Sequence, residues 1–286
     1  MIFLYMLIPM QYVGHEFTQN EIDRIQRLIA SGINRTAISR VFCEEMNWRK
    51  PDGGLKEMSC RVALLKMHRD SHIILPPPQR PANNDRKKPA HTHFTDPEVV
   101  ENASTLSIER ANSATSALWN EYIDRYHYLG YAPLPGAQMR YFVKSDNQIL
   151  ALLGFSAAAW KCAPRDDAIG WDAQGRKKNL HLIVNNSRFL ILPWVQSKNL
   201  ASRILSLTAQ RVAADWQERY RYEPVLLETF VEKERFLGTC YKASNWTCVG
   251  QTQGRGKLDI RHERKVPVKT VWLYPLRKDF KRWLHA

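Results

Sequence analysis

The sequence predicts a mixed α/β domain preceded by a small all-α domain. Three observations carry that prediction. Between residues 17 and 69, apolar residues recur at helical spacing. Prolines then cluster between 76 and 97. From Leu106 onward, strand-like apolar runs alternate with helical ones, the pattern of a sheet with flanking helices.

The elements follow in order. Thr18 and Glu21 have capping-box spacing, with Phe17 and Ile22 placed as a hydrophobic staple. Ile22, Ile25, Leu28 and Ile29 then share one helical face, and Gly32 ends it. A second helix is expected near 35–46, with Ile38, Val41 and Phe42 inward. The short 31–34 connection makes the pair helix-turn-helix-like. A third helix is expected near 55–69, with Met58, Val62, Leu65 and Met67 apolar. Its polar set of Lys56, Ser59, Arg61, Lys66 and Arg69 reads either as a phosphate-contacting face or as the outside of a generic three-helix bundle.

Residues 76–105 read as a basic linker, because Pro76, Pro77, Pro78, Pro81 and Pro89 remove backbone donors. The expected domains are therefore 1–75, the linker 76–105, and 106–286. In the last, a helix over 117–126 ends at a His-Tyr-Leu-Gly segment. Strands over 140–144 and 149–156 form a hairpin around a Ser-Asp-Asn turn. Two apolar runs fill 180–192, and Leu200, Ile204, Leu207, Val212 and Trp216 mark a long helix over 199–220. Strands over 225–230, 247–250 and 271–274, with a short helix over 236–245, complete the domain.

The chain carries 42 basic and 28 acidic residues, a net charge of +14. Such a balance favours an anionic partner, most often nucleic acid, over ordinary solubility charge. DNA is the expected partner. Lipid is disfavoured, since no long basic amphipathic helix is visible. Five scattered cysteines contain no C-x-x-C pair, which argues against a zinc ribbon or finger and for reduced thiols in the cytoplasm. No metal site can be assembled. The apolar start MIFLYMLIPM is too short to span a bilayer and lacks a basic n-region. It reads either as an upstream start or as a packed terminal strand.

The densest chemistry lies in PVLLETFVEKERFLGTCYKASNWTCVGQTQGRG, residues 224–256. Glu228 ends a buried strand, and Tyr241 sits on the next helix. Glu228 reads as a base raised by burial, or as a strand-end carboxylate paired with Lys242 or Arg188. Tyr241 reads as a proton donor or as a core tyrosine. His127 reads as a general base or as a capping histidine. Arg165, Asp166 and Asp167 read as substrate-positioning residues or, more simply, as a charged surface turn. Arg255, Lys257, Arg261, Arg264 and Lys265 lie in a glycine-opened loop, as a phosphate-contacting segment or a solvated charge run. Together with Arg61 and Lys66 they are the expected nucleic-acid contacts.

The order hairpin, strand, long helix, strand, short helix, strand resembles the GNAT acyltransferase fold. That resemblance implies an acyl donor such as acetyl-CoA, with its phosphates at the start of the long helix, here Ser197, Lys198, Asn199 and Ser202. The family's glycine-rich loop is absent. The motifs HYLGY (127–131), RDDAIGW (165–171), NNSRFLILPWV (185–195), KNLAS (198–202), ETF (228–230) and GTCYKASNW (238–246) together resemble the Druantia anti-phage system protein A family. This implies a bacterial defence component with other defence proteins as partners. The core also resembles Mom-type GNAT-like DNA modification proteins. By that likeness His127, Ser202, Glu228 and Tyr241 form the site, with Glu228 where those proteins carry aspartate. The alternatives are a non-catalytic nucleic-acid sensor or adaptor, or a mobile-element DNA-binding protein.

Overall fold

The computed structural model describes residues 10–79, 88–92, 99–101, 103, 105–255 and 266–286. The first nine residues, and the loop residues Lys257, Arg261, Arg264 and Lys265, lie outside the described residues. The chain divides into two compact units, Met1–Arg86 and Lys87–Ala286.

The first unit opens with a hairpin, β1 (Met10–Tyr12) and β2 (His15–Phe17), followed by α1 (Gln19–Ala30), α2 (Arg35–Glu45) and α3 (Glu57–Arg69). Both halves of the capping box at Thr18 and Glu21 form. Asn34 caps α2 by accepting from the amides of Thr36 and Ala37. The core joins Phe17, Ile25, Ile38, Phe42, Cys60, Leu64 and Met67. The apolar face of α3 is therefore Cys60, Ala63, Leu64 and Met67. Met58 and Val62, expected inside, are 63% and 43% exposed. The small residues Cys60 and Ala63 let α3 approach α2, which turns Met58 and Val62 outward.

In the second unit, β3 (Val100–Glu101) and β4 (Ser107–Arg110) precede α4 (Ser116–Tyr126). Next come β5 (Gln138–Ser145), β6 (Gln148–Ala157), α5 (Ala163–Ile169), α6 (Ala173–Asn179) and β7 (Ile183–Ile191). Then follow β8 (Val195–Gln196), α7 (Leu200–Tyr220), β9 (Leu226–Glu232), α8 (Thr239–Ala243), β10 (Thr247–Gln251), β11 (Lys269–Pro275) and α9 (Phe280–His285). Within the stretch read as linker, Val100 and Glu101 pair in parallel with β8, and Ala103 is buried.

Seven strands form one mixed sheet in the order β10-β11-β9-β7-β6-β5-β4. Every neighbouring pair is antiparallel except β7 and β9. Helices cover both faces, because strand side chains alternate. Tyr141, Val143, Leu153 and Phe155 pack against Leu200, Ile204, Val212 and Trp216 of α7. Phe142 and Leu152 point the other way, onto Trp119 and Ile123 of α4. Ile183, Leu226 and Leu273 share that second side with Ile169 and Trp171 near α5.

Candidate functional site

The parallel pair determines the site. β7 and β9 are in register at only three positions, Ile183 with Leu226, Val184 with Leu227 and Asn185 with Glu228. Beyond them the two strands continue, each bonded to its outer neighbour and not to the other. A cleft of about 670 Å³ occupies the divergence. One wall is the chain after α4, including His127, Tyr128 and Leu134. The remaining lining includes Ala201 in the first turn of α7, Thr229 and Val231 of β9, and Tyr241 of α8.

The bare edge of β7 is satisfied largely by side chains. The Asn185 carbonyl accepts from Ser187 Oγ at 3.2 Å, and the Asn186 carbonyl from Thr229 Oγ1 at 3.0 Å. The Ser187 carbonyl accepts from Arg188 Nη1 at 2.8 Å, and the Arg188 carbonyl from Asn186 Nδ2 at 3.1 Å. Asn185 Oδ1 is buried with no partner, an acceptor open to an incoming donor.

Tyr241 reaches the cleft because α8 begins at Gly238, whose φ is +71°. A Cβ there would meet the ring of Trp272 at 2.7 Å, so only glycine lets α8 pack this closely. The Tyr241 ring lies between Trp246 and Trp272, with centroids at 5.2 and 6.4 Å. Its hydroxyl donates to Asn186 Oδ1 at 2.9 Å. Burial pushes the phenol above its ordinary range, which keeps the proton on oxygen at neutral pH.

His127 follows α4, and its Nδ1 accepts the Leu129 amide at 3.2 Å. Burial, and then the neighbouring Arg188 charge, lower its pKa to about 4. The ring is therefore neutral, with its proton on Nε2, and acts as a donor there. As a general base it would need the Nδ1 lone pair, which the Leu129 amide already occupies.

Glu228 is absent from the cleft lining. Thr229 faces the cleft, so the alternation of β9 sends Glu228 to the α5 side. It is fully buried, accepting from the Ala159 amide at 2.8 Å and from Arg165 Nη1 at 2.9 Å. Burial raises its carboxyl pKa, while Arg165 and the Ala159 amide pull the other way. Arg165 is also fully buried and binds Asp166, which holds Trp171 Nε1 at 3.0 Å and Arg176 at 3.2 Å. The RDDAIGW segment is thus a helix carrying a buried ion-pair network, and not a surface turn. Lys242 and Arg188 are not the partners of Glu228.

Ser202 donates to the Asn199 carbonyl at 3.0 Å and is not part of the cleft lining. Ser197, Lys198 and Asn199 are likewise outside it, although the next turn reaches the cleft through Ala201. Lys66 and Arg255 are exposed, while the Arg61 Nε is buried without a partner. Sequence reasoning brought His127 and Tyr241 to one cleft. It missed Asn186, Arg188 and Thr229, although NNSRFLILPWV and ETF contain all three and only their strand faces were unread.

The sequence profile described as Druantia protein DruA matches residues 66–263, more than half of the chain. The chain belongs to the DruA family. Membership makes it a defence-system component. No curated protein matches the chain. Among solved structures it is similar to a spermidine N-acetyltransferase SpeG chimera from Vibrio cholerae and hSSAT. There identity is 10%, coverage is 64% of this chain and 100% of the other, and the TM-score is 0.41. A GNAT-family acetyltransferase from Streptococcus pneumoniae is 11% identical over 60% of this chain and 99% of its own, with a TM-score of 0.39. A polyamine N-acetyltransferase from Drosophila melanogaster is 10% identical over 60% of this chain and 100% of its own, also at 0.39. Among the described residues, no helix is long and apolar enough to cross a membrane.

Proposed function

We propose that this DruA-family chain acts on nucleic acid as part of its defence system, transferring an acyl group to a base amine in the cleft between β7 and β9. The observation that supports this most is the Tyr241 hydroxyl, held protonated where the two strands part. An acyl thioester such as acetyl-CoA is the donor class that fits. The free Asn185 Oδ1 suits an extended amide-bearing chain lying where the strands part, and the first turn of α7 at Ala201 suits its phosphates. The amine nitrogen bonds to the acyl carbon as the carbon–sulfur bond breaks. Tyr241 protonates the departing thiolate, and the proton lost by the amine goes to water. The base must leave its stack to enter, so a single strand or a flipped nucleotide is the substrate form. The exposed basic residues Lys66 and Arg255 are the outer nucleic-acid contacts on this reading, with partner defence proteins directing the complex.

A second reading is a non-catalytic nucleic-acid sensor or adaptor. Two observations favour it: Glu228 is committed to Arg165, and His127 Nδ1 is engaged, so no side chain of the expected set stands free to take a proton. Nucleoside mass spectrometry on DNA co-expressed with the wild type and with Tyr241→Phe separates the two. A new nucleoside mass with the wild type, lost or at least tenfold reduced in the variant, is expected for transfer. Unmodified DNA in the presence of the partner proteins, with DNA binding intact, supports the sensor.

A further inference from the structure

Among the described residues, Arg188 is a cation without a counter-ion. Arg188 lines the cleft; among the described residues its Nη1 donates to the Ser187 carbonyl and its buried Nε has no hydrogen-bond partner. Burial lowers its pKa, and no carboxylate acts on it in compensation. A charge withdrawn from water in this way is matched by an anion that arrives with a ligand.

The surface beside it is aromatic and apolar. Tyr128 and Phe236 line the same cleft, 40% and 46% exposed, with their rings edge to face at 5.4 Å. Leu129 and Leu237, 47% and 86% exposed, extend the patch. His127 stacks on Tyr128 with centroids at 4.9 Å. Arg235 also lies over the Tyr128 ring, at 4.8 Å, held by a 3.7 Å contact to Glu232. An exposed cation over a ring is held weakly, and a stacked base binds such a ring more strongly. Along the cleft lining, Glu232 is outnumbered by Arg188 and Lys269.

An anion next to a stacking face is the chemistry of a nucleotide. We infer that the mouth of the cleft is a nucleotide subsite, with one phosphate on Arg188 and the base over Tyr128 where Arg235 now lies. Phe236 borders the base, and the exocyclic edge is turned toward the cleft. This rests on the nucleic-acid reading above and holds for either of its forms, since it requires binding and not transfer.

The test is anisotropy with the full chain and a labelled five-nucleotide single strand, too short to form a duplex site. Tyr128→Ala and Arg188→Met are each expected to weaken binding at least tenfold, with Arg188→Lys recovering part of the loss. An abasic nucleotide at the centre of the strand is expected to weaken wild-type binding and to add little to Tyr128→Ala. Because the anion could instead be a phosphate of the acyl donor, coenzyme A is titrated in parallel. Arg188→Met should leave its affinity within twofold. Loss of coenzyme A binding with oligonucleotide binding retained would overturn the proposal. So would wild-type oligonucleotide affinity in a folded Tyr128→Ala, as judged by an unchanged melting temperature. Unmodified DNA with these binding losses removes the transferase reading and keeps the subsite; modification by a folded Tyr128→Ala at the wild-type rate and affinity does the reverse.

Discussion

Arg165 and Glu228 form a contact with no exposure to solvent, and the two residues are 63 positions apart in the chain. Removing one partner strands the other charge in the interior. Arg165→Met is therefore expected to lower stability by about 3–5 kcal/mol. Adding Glu228→Leu should return much of that loss, because a well-packed apolar pair replaces an ion pair at little net cost. Urea midpoints of the single and double variants check this. His127 gives a pH signature of known sign. Its folded pKa is about 4 against 6.5 for the free side chain. Between those values the unfolded chain binds more protons, so stability rises with pH across that window. The contribution is complete above about pH 6.5 and is lost as pH falls toward 4. His127→Asn should flatten the slope of stability between pH 4 and 6.5 while leaving the profile above pH 7 nearly parallel to wild type.

At the scale of elements, α8 is five residues long and depends on its first junction. Gly238→Ala introduces a left-handed alanine and a Cβ against Trp272, together costing about 2–4 kcal/mol. The expected readout is a lower urea midpoint together with changed fluorescence from the Trp246 and Trp272 cluster around Tyr241. The elements legible in the sequence were those with a strong internal period. The long helix was expected over 199–220 and α7 spans Leu200–Tyr220, since Ile204, Val212 and Trp216 mark one face over about three turns. The capping box at Thr18 was legible because its signal is local. α5, α6 and α9 were not read, because helices of six or seven residues have too few turns to show a period. In α3 the helix was found but its face was rotated, since Cys60 and Ala63 carry less apolar weight than Met58 and Val62. Glu228 was placed on the right strand but at its end, whereas β9 runs on to Glu232, and its face was not read. Which of two alternating faces opens to a cleft depends on where β7 and β9 part, and that divergence has no signature in either strand alone.

Among the described residues of the whole molecule, each buried cluster is built from residues of one unit. The second unit therefore carries its own complete core. A chain of residues 87–286 is expected to unfold cooperatively, with a urea midpoint close to that of the corresponding transition in the full protein. A fused or broadened transition in the truncated chain would show that the helical unit contributes to that core.

The three-residue parallel contact also bears on how the chain reaches this state. β4 to β7 assemble from neighbouring strands, but β9 joins only after the 21-residue α7 has crossed between them. Non-local pairing of that kind is slow. Until it happens, β7 is the open margin of a four-stranded sheet rich in leucine and isoleucine. Such a margin recruits the same margin of another molecule. Recovery of native protein from urea should therefore fall as chain concentration rises, and dilution protects the yield.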